Sequence, residues 1–226
     1  MSKPWESGGG LNTGLGSDNK SSRGSSNLRY WMPKGEERKI IFLTEGNKAP
    51  IVWEHQVRLS GDWRNWFPSL EWLGISPDPL KEFSEETNQF KRYTGYAFTI
   101  IDTHEFTDRQ GNKRSNLKKI MIAKRDTAEI LKRLYQKRLD NDEGLRGAMF
   151  NVYRTNSDKS AAVGEQFEFE KMVDLSAFED TEEFDWSEVF APNAERQAEV
   201  VAQLRREMGM SSGDKTPEGT TSKVEY

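Results

Sequence analysis

The sequence predicts a mainly β protein: a small closed or partly open β-barrel with one principal helix, a disordered N-terminus and an acidic C-terminal tail. Three observations carry this. Short apolar runs bounded by turn residues recur from Arg29 to Leu175. Sustained helical spacing of apolar residues follows Asp126. The two flanks are polar and have little to bury. The expected organisation is a Gly/Ser-rich arm over 1–27, a binding domain over 28–175, and an acidic tail over 176–226 that contains a short amphipathic helix.

Residues 1–27 are rich in Gly, Ser and Asn, too polar to offset the entropy of ordering. Their glycines lack the strand and the Gly-Lys-Ser/Thr of a phosphate loop. RKIIFL (Arg38–Leu43) and IVWEHQVRL (Ile51–Leu59) read as strands. In the second, Ile51, Trp53, His55, Val57 and Leu59 alternate with Val52, Glu54, Gln56 and Arg58, the period of a half-buried strand. Ser60-Gly61-Asp62 then turns the chain into WRNWF, as in a hairpin. Pro68 to Gln89, with three prolines and several acids, reads as a long loop or a short helical excursion.

Tyr93–Phe106 and Asn116–Ala123 form the next pair, and their near-continuous apolar runs suit strands covered on both sides. Asp126 and Glu129 make a capping box before a helix on which Ile130, Leu131, Leu134, Tyr135 and Leu139 recur at helical spacing. Gly147–Arg154 and Gln166–Leu175 are the last two strands, and Ala194–Met208 reads as a short amphipathic helix.

The chain lacks cysteine, which excludes disulfides and thiolate metal sites and suits a reducing compartment. Its start has no apolar signal segment, and no run is long enough to span a bilayer, so a soluble intracellular protein is expected. Charge is unevenly placed. Residues 34–160 carry 23 basic and 19 acidic side chains, net +4, whereas residues 161–226 carry six and sixteen, net −10. A basic body with an acidic tail suits an anionic partner and a tail that competes for the same surface.

Enzymatic chemistry finds no support. His55 and His104 are far apart in sequence, no nucleophile elbow occurs, and Asp102-Thr103-His104-Glu105 alternates its side chains across a strand end. No catalytic residue, metal or cofactor is expected. The basic residues are more informative. Between Thr103 and Arg138 there are eleven Lys or Arg against four acids. Arg109, Lys113 and Arg114 lie in a hairpin loop, and Lys118, Lys119, Lys124 and Arg125 lie on or beside the next strand. Such a set suits a groove that tracks phosphates, while the helical Lys132, Arg133, Lys137 and Arg138 read as a solvated face.

Aromatic side chains supply the complementary chemistry. Every base has a π-face, so rings beside cations hold single strands without reading sequence. In GDWRNWFPSLEW, alternation sends Arg64 and Trp66 to one side and Trp63 and Phe67 to the other, splitting the cluster between core and platform. Arg58 and Trp63 join Arg64 and Trp66 as candidate contacts, with Tyr30, Trp31, Tyr96, Phe98, Tyr153, Arg154 and Lys159. Each ring is open to two readings, core or stacking surface.

At these residues the chain resembles the single-stranded DNA-binding proteins of tailed bacteriophages. LRYWMPKGEERKIIFL, WEHQVRLSGDWRNWF, the block from Gly95 to Leu134 and the block from Gly144 to Leu175 carry the resemblance, over about Leu28 to Leu175. It implies an OB-like barrel that binds single-stranded DNA in replication, recombination and repair, in the cytoplasm of an infected bacterial host. It also implies contacts of the acidic C-terminal part with phage replication or recombination proteins, and self-association on DNA. Members of the wider family often hold zinc with paired cysteines just after the segment matching WRNWF. Pro68 to Tyr93 has no cysteine, so no zinc and an altered loop are expected here.

From Asp174 to Phe190 there are seven acids and no base, interleaved with Phe178, Phe184, Trp186 and Phe190. Charge and ring in alternation imitate a single strand, so this segment is expected to fold onto the groove without DNA and to meet partners once freed. The leading reading is a sequence-independent single-stranded DNA-binding protein. The alternatives are an interaction scaffold of the replication or recombination machinery and, third, a metal-dependent nuclease centred on Asp102.

Overall fold

The computed structural model describes residues 28–59, 64–107, 111–141 and 143–210, with Arg64 described by its backbone. Strands β1 (Glu37–Phe42), β2 (Ile51–Arg58) and β3 (Arg64–Pro68) lead to helix α1 (Pro79–Thr87). Strand β4 (Tyr93–Asp102), a small hairpin of β5 (Phe106–Thr107) and β6 (Lys113–Arg114), and β7 (Leu117–Lys124) precede helix α2 (Arg125–Leu139). Then come β8 (Ala148–Tyr153), β9 (Gln166–Met172), a 3-10 turn at Leu175–Ala177, and helices α3 (Trp186–Val189) and α4 (Ala194–Glu207).

The protein is mainly β. Its principal sheet is antiparallel, in the order β3-β2-β4-β1-β8-β9, with β7 also on β4. β4 organises it. One edge of β4 pairs β2 through Tyr93–Tyr96 and then β1 through Ile100–Asp102, while the other pairs β7 from Gly95 to Asp102. Of the closed and partly open forms expected, the sheet is not the closed one. The far edge of β7 meets a single parallel bridge at Arg29, where Tyr30 N donates to Ile120 O at 2.8 Å. Met32 N then donates to Ala162 O at 3.0 Å, so the chain from Arg29 to Met32 crosses the opening without forming a ladder strand.

The interior holds Phe42, Ile100, Met121, Phe150 and Val152, closed at one side by Leu131 of α2. Phe42 meets Phe98 and Phe150 edge-on, each at 5.5 Å between ring centres. A separate cluster packs α1 and α4 on Val57 and Leu59 through Leu80, Phe83, Val200, Val201 and Leu204. The apolar face of α4 is thus used within the chain.

The segment read as an acidic tail wraps the outer face of the sheet. Phe178 packs by Ile41, Leu43 and Ile101, and Phe190 with Val52, Ala97, Ile120 and Ile122. This explains why β4 and β7 are apolar on both faces. Two local expectations are corrected. α2 starts at Arg125 with Lys124 at its N-cap and no side-chain cap bond, so Asp126 sits within the first turn instead of capping it. Arg138 is buried, not solvated, because its guanidinium lies 3.8 Å from the Phe169 ring centre and pairs with Glu143 at 2.9 Å. Among the described residues, no helix is long and apolar enough to cross a membrane.

Candidate nucleic-acid interface

The cross-strand register separates two faces of the β3-β2-β4 region. Gln56 opposes Trp66 and Glu54 opposes Tyr93 on one face, whereas His55 opposes Phe67 on the other. Phe67 packs on the cluster beneath α1 and α4. Trp66 is half-buried and carries the Arg29 guanidinium at 5.2 Å from its ring centre. Arg29 also pairs with buried Glu54, to which Tyr93 Oη donates at 2.9 Å. Burial, then the Glu54 charge, pushes the Tyr93 hydroxyl pKa far up. The Trp66 face is therefore satisfied from within, ring by cation and cation by carboxylate. Arg58, exposed, opposes Arg64 at its outer end, and Lys124 lies 3.5 Å from the Tyr93 ring centre.

The opposite face is open at one end. Ile51 and Tyr96 oppose each other across β2 and β4, 45% and 40% exposed. Trp53, opposite Thr94, lies beneath the Arg92 guanidinium at 4.4 Å from the ring centre. Further along β2 the same face is closed, because His55 and Val57 lie under the α1–α4 module. Further along β4 it enters the interior at Phe98 and Ile100. The uncovered patch lies between these two packed regions. Lys124 and Arg125 directly follow Ala123, the cross-strand partner of Tyr96. Arg92 also pairs with exposed Glu71, whose carboxyl pKa is held down by hydrogen bonds from Lys81 and Arg92.

The remaining expected contacts scatter. Tyr30 and Phe98 are core, because both point into the interior beside Phe42 and Met32, and burial raises the Tyr30 hydroxyl pKa. Trp31 is exposed at 49%. Tyr153 is half-buried on the outer face opposite Glu37. Arg154 turns inward to Ser160 Oγ at 3.0 Å, and Lys159 is exposed. Lys119 is spent on Asp102 at 2.7 Å, and Lys118 is held by Asp180 and lies 4.8 Å from the Phe184 ring centre. Lys113 pairs with Glu105, and Arg114 opposes Phe106 in the small hairpin. Arg125 is exposed at the start of α2. Trp63 and Arg109 lie outside the described residues.

The rings of the acidic segment pack on the outer face of the sheet, not on the open patch. Phe190 is 1% exposed and stacks on Trp186 at 5.8 Å, while Phe184 N donates to Thr99 Oγ1 at 3.0 Å. Phe178 is half-buried. These side chains hold the segment on the sheet, and Glu179, Asp180, Glu182 and Asp185 face outward.

Three residues central to the open patch, Ile51, Trp53 and Arg92, were not among the expected contacts. Alternation already places Ile51 and Trp53 on one face. What it lacks is any sign that helices cover only the His55–Leu59 end.

The loop after β3 does not fit a zinc ion. Asp78 Oδ2 accepts from Ser69 Oγ at 2.8 Å and Glu71 N at 3.0 Å, and Oδ1 accepts from Lys81 N at 3.0 Å, capping α1. Its one buried carboxylate is thus committed to three donors, and His55 Nδ1 is hydrogen-bonded to Phe90 O at 2.8 Å. No group of three or more metal-ligating side chains occurs among the described residues. Asp102, the centre of the nuclease alternative, is buried and paired with Lys119 and Arg38. Comparison with protein-family models, curated proteins and solved structures found no match.

Proposed function

We propose that this chain binds single-stranded DNA largely without sequence preference, on an OB-like, partly open barrel, and that it serves phage DNA replication, recombination and repair. One observation carries the reading most: an uncovered patch of Ile51, Trp53 and Tyr96 with Arg92 over the tryptophan, near exposed Arg125. Ring and cation together suit base and phosphate, and neither requires a particular base. The role is non-enzymatic and needs no cofactor. It belongs in the cytoplasm of an infected bacterium, with self-association along the strand.

Partners in replication or recombination would meet the outward acids Glu179, Glu182 and Asp185. The segment is not released as a whole when DNA binds, because Phe190 is core. Titration of tryptophan emission with oligo-dT at two salt concentrations tests the proposal. Quenching with affinity that falls as salt rises supports it, since bound Lys and Arg release counterions. Absence of any response leaves the scaffold reading in its place.

A further inference from the structure

The β5–β6 hairpin stands apart from the main sheet, joined by the cross-strand pairs Phe106–Arg114 and Thr107–Lys113. Two paired residues per strand bury no core, and a hairpin that small is marginal by itself. Its root is braced instead. Asp102, 2% exposed, accepts from Lys119 Nζ at 2.7 Å and from His104 N at 3.1 Å, with Arg38 at 3.6 Å. Thr103 donates its backbone N at 3.1 Å and its Oγ1 at 2.9 Å to Lys39 O. The chain leaving β4 is therefore pinned before it projects.

Beyond that root, every described residue from His104 to Thr107 and from Gly111 to Asn116 is exposed. Phe106 is 38% exposed and belongs to no packed cluster among the described residues. The core gives no reason for an apolar ring there. The hairpin also lies away from the Tyr96 patch: Tyr96 and Asp102 are six residues apart on one strand, about 20 Å at the usual rise. Phe106 is thus not a neighbour of Tyr96 in a continuous stack.

Resting on the single-stranded DNA reading above, we infer that this arm meets DNA where a duplex opens into single strand. Phe106 stacks on the terminal base pair of the junction, and Lys113 and Arg114 on the opposing strand take the adjacent phosphates. An end base pair presents a flat apolar face, and apolar side chains on basic elements are a general means of prising base steps apart. Glu105, which pairs with Lys113 at 2.8 Å, gives way readily, since both side chains are exposed and such surface pairs are weak.

The test uses the full chain with oligo-dT and with a hairpin duplex carrying a dT tail and 2-aminopurine in the pair nearest the tail. Wild type is expected to bind both and to raise the 2-aminopurine signal. Phe106→Ala should need about tenfold more protein to open the junction while its oligo-dT affinity stays within about twofold, and Phe106→Trp should restore opening. Unchanged opening by Phe106→Ala, or equal losses on both probes, overturns the inference. Wild type that binds oligo-dT without disturbing the junction pair overturns it alone. Wild type that binds neither probe removes the single-stranded DNA reading, and the inference with it.

Discussion

Arg92 lies over Trp53, its guanidinium 4.4 Å from the ring centre, beside the exposed Ile51–Tyr96 pair of the β2–β4 surface. A cation held over a ring presents charge and π-surface at one point, which a nucleotide needs together. Tyr96→Ala should weaken oligo-dT binding about tenfold, the scale of one stacked base, and leave the thermal midpoint close to wild type because the ring is at the surface. Titration at fixed salt alongside a melting curve measures both.

Arg29 and Trp66 should behave in the opposite way. Arg29→Ala leaves the buried Glu54 carboxylate without its cation, a loss of about 3–5 kcal/mol in stability. Urea unfolding should register this, with oligo-dT affinity of the folded fraction little changed. A large loss of affinity with unchanged stability would move the binding face to the Trp66 side.

Phe190 tests whether the acidic segment is tail or body. Its ring is enclosed by Val52, Ala97, Ile120 and Ile122, so Phe190→Ala should cost about 3–5 kcal/mol. Deleting everything after Leu175 should lower stability by more, since it also uncovers Val57, Leu80 and Phe83 beneath α4. A truncated protein as stable as wild type would restore a detachable tail.

Asp78 should matter to folding independently of metal. Asp78→Ala removes an N-cap and the partner of buried Ser69, together about 2 kcal/mol. Chelator treatment of wild type should leave its melting curve unchanged, and a shift on chelation would contradict the hydrogen-bonded loop described here.

His55 gives the fold a pH dependence. Burial lowers its imidazole pKa from the ordinary 6.5, partly offset by the Phe90 carbonyl. Its Nε2 is buried without a hydrogen-bond partner among the described residues. As pH falls below about 6.5 the unfolded chain takes up a proton that the folded chain resists, so stability declines until the lower folded value is passed. Urea midpoints at pH 7 and pH 5.5 should differ for wild type and differ less for His55→Gln.

Much of this was legible in the sequence, and the exceptions have physical causes. Period-two alternation in IVWEHQVRL and WRNWF placed the strands and put Trp66 and Phe67 on opposite faces, because side-chain direction follows from strand geometry alone. Alternation also offered Phe98 and Tyr96 as equals. They share one side of β4, yet one lies in the interior and the other at its mouth. That difference depends on where the strand leaves the core.

The order of the seven strands of the main sheet and the principal helix, the lack of thiolate chemistry, and the concentration of cations between Thr103 and Arg138 can be read along the chain. All of these follow from local period and residue type. Which cations are spent depends on contacts distant in the chain. Lys118 is taken by Asp180, Lys119 by Asp102 and Arg29 by Glu54, across separations of 62, 17 and 25 residues. The same holds for the acidic stretch, whose four aromatic rings lie against the sheet. An apolar ring is stabilised by whichever apolar surface the fold leaves uncovered, and no local pattern in the chain records where that surface will be.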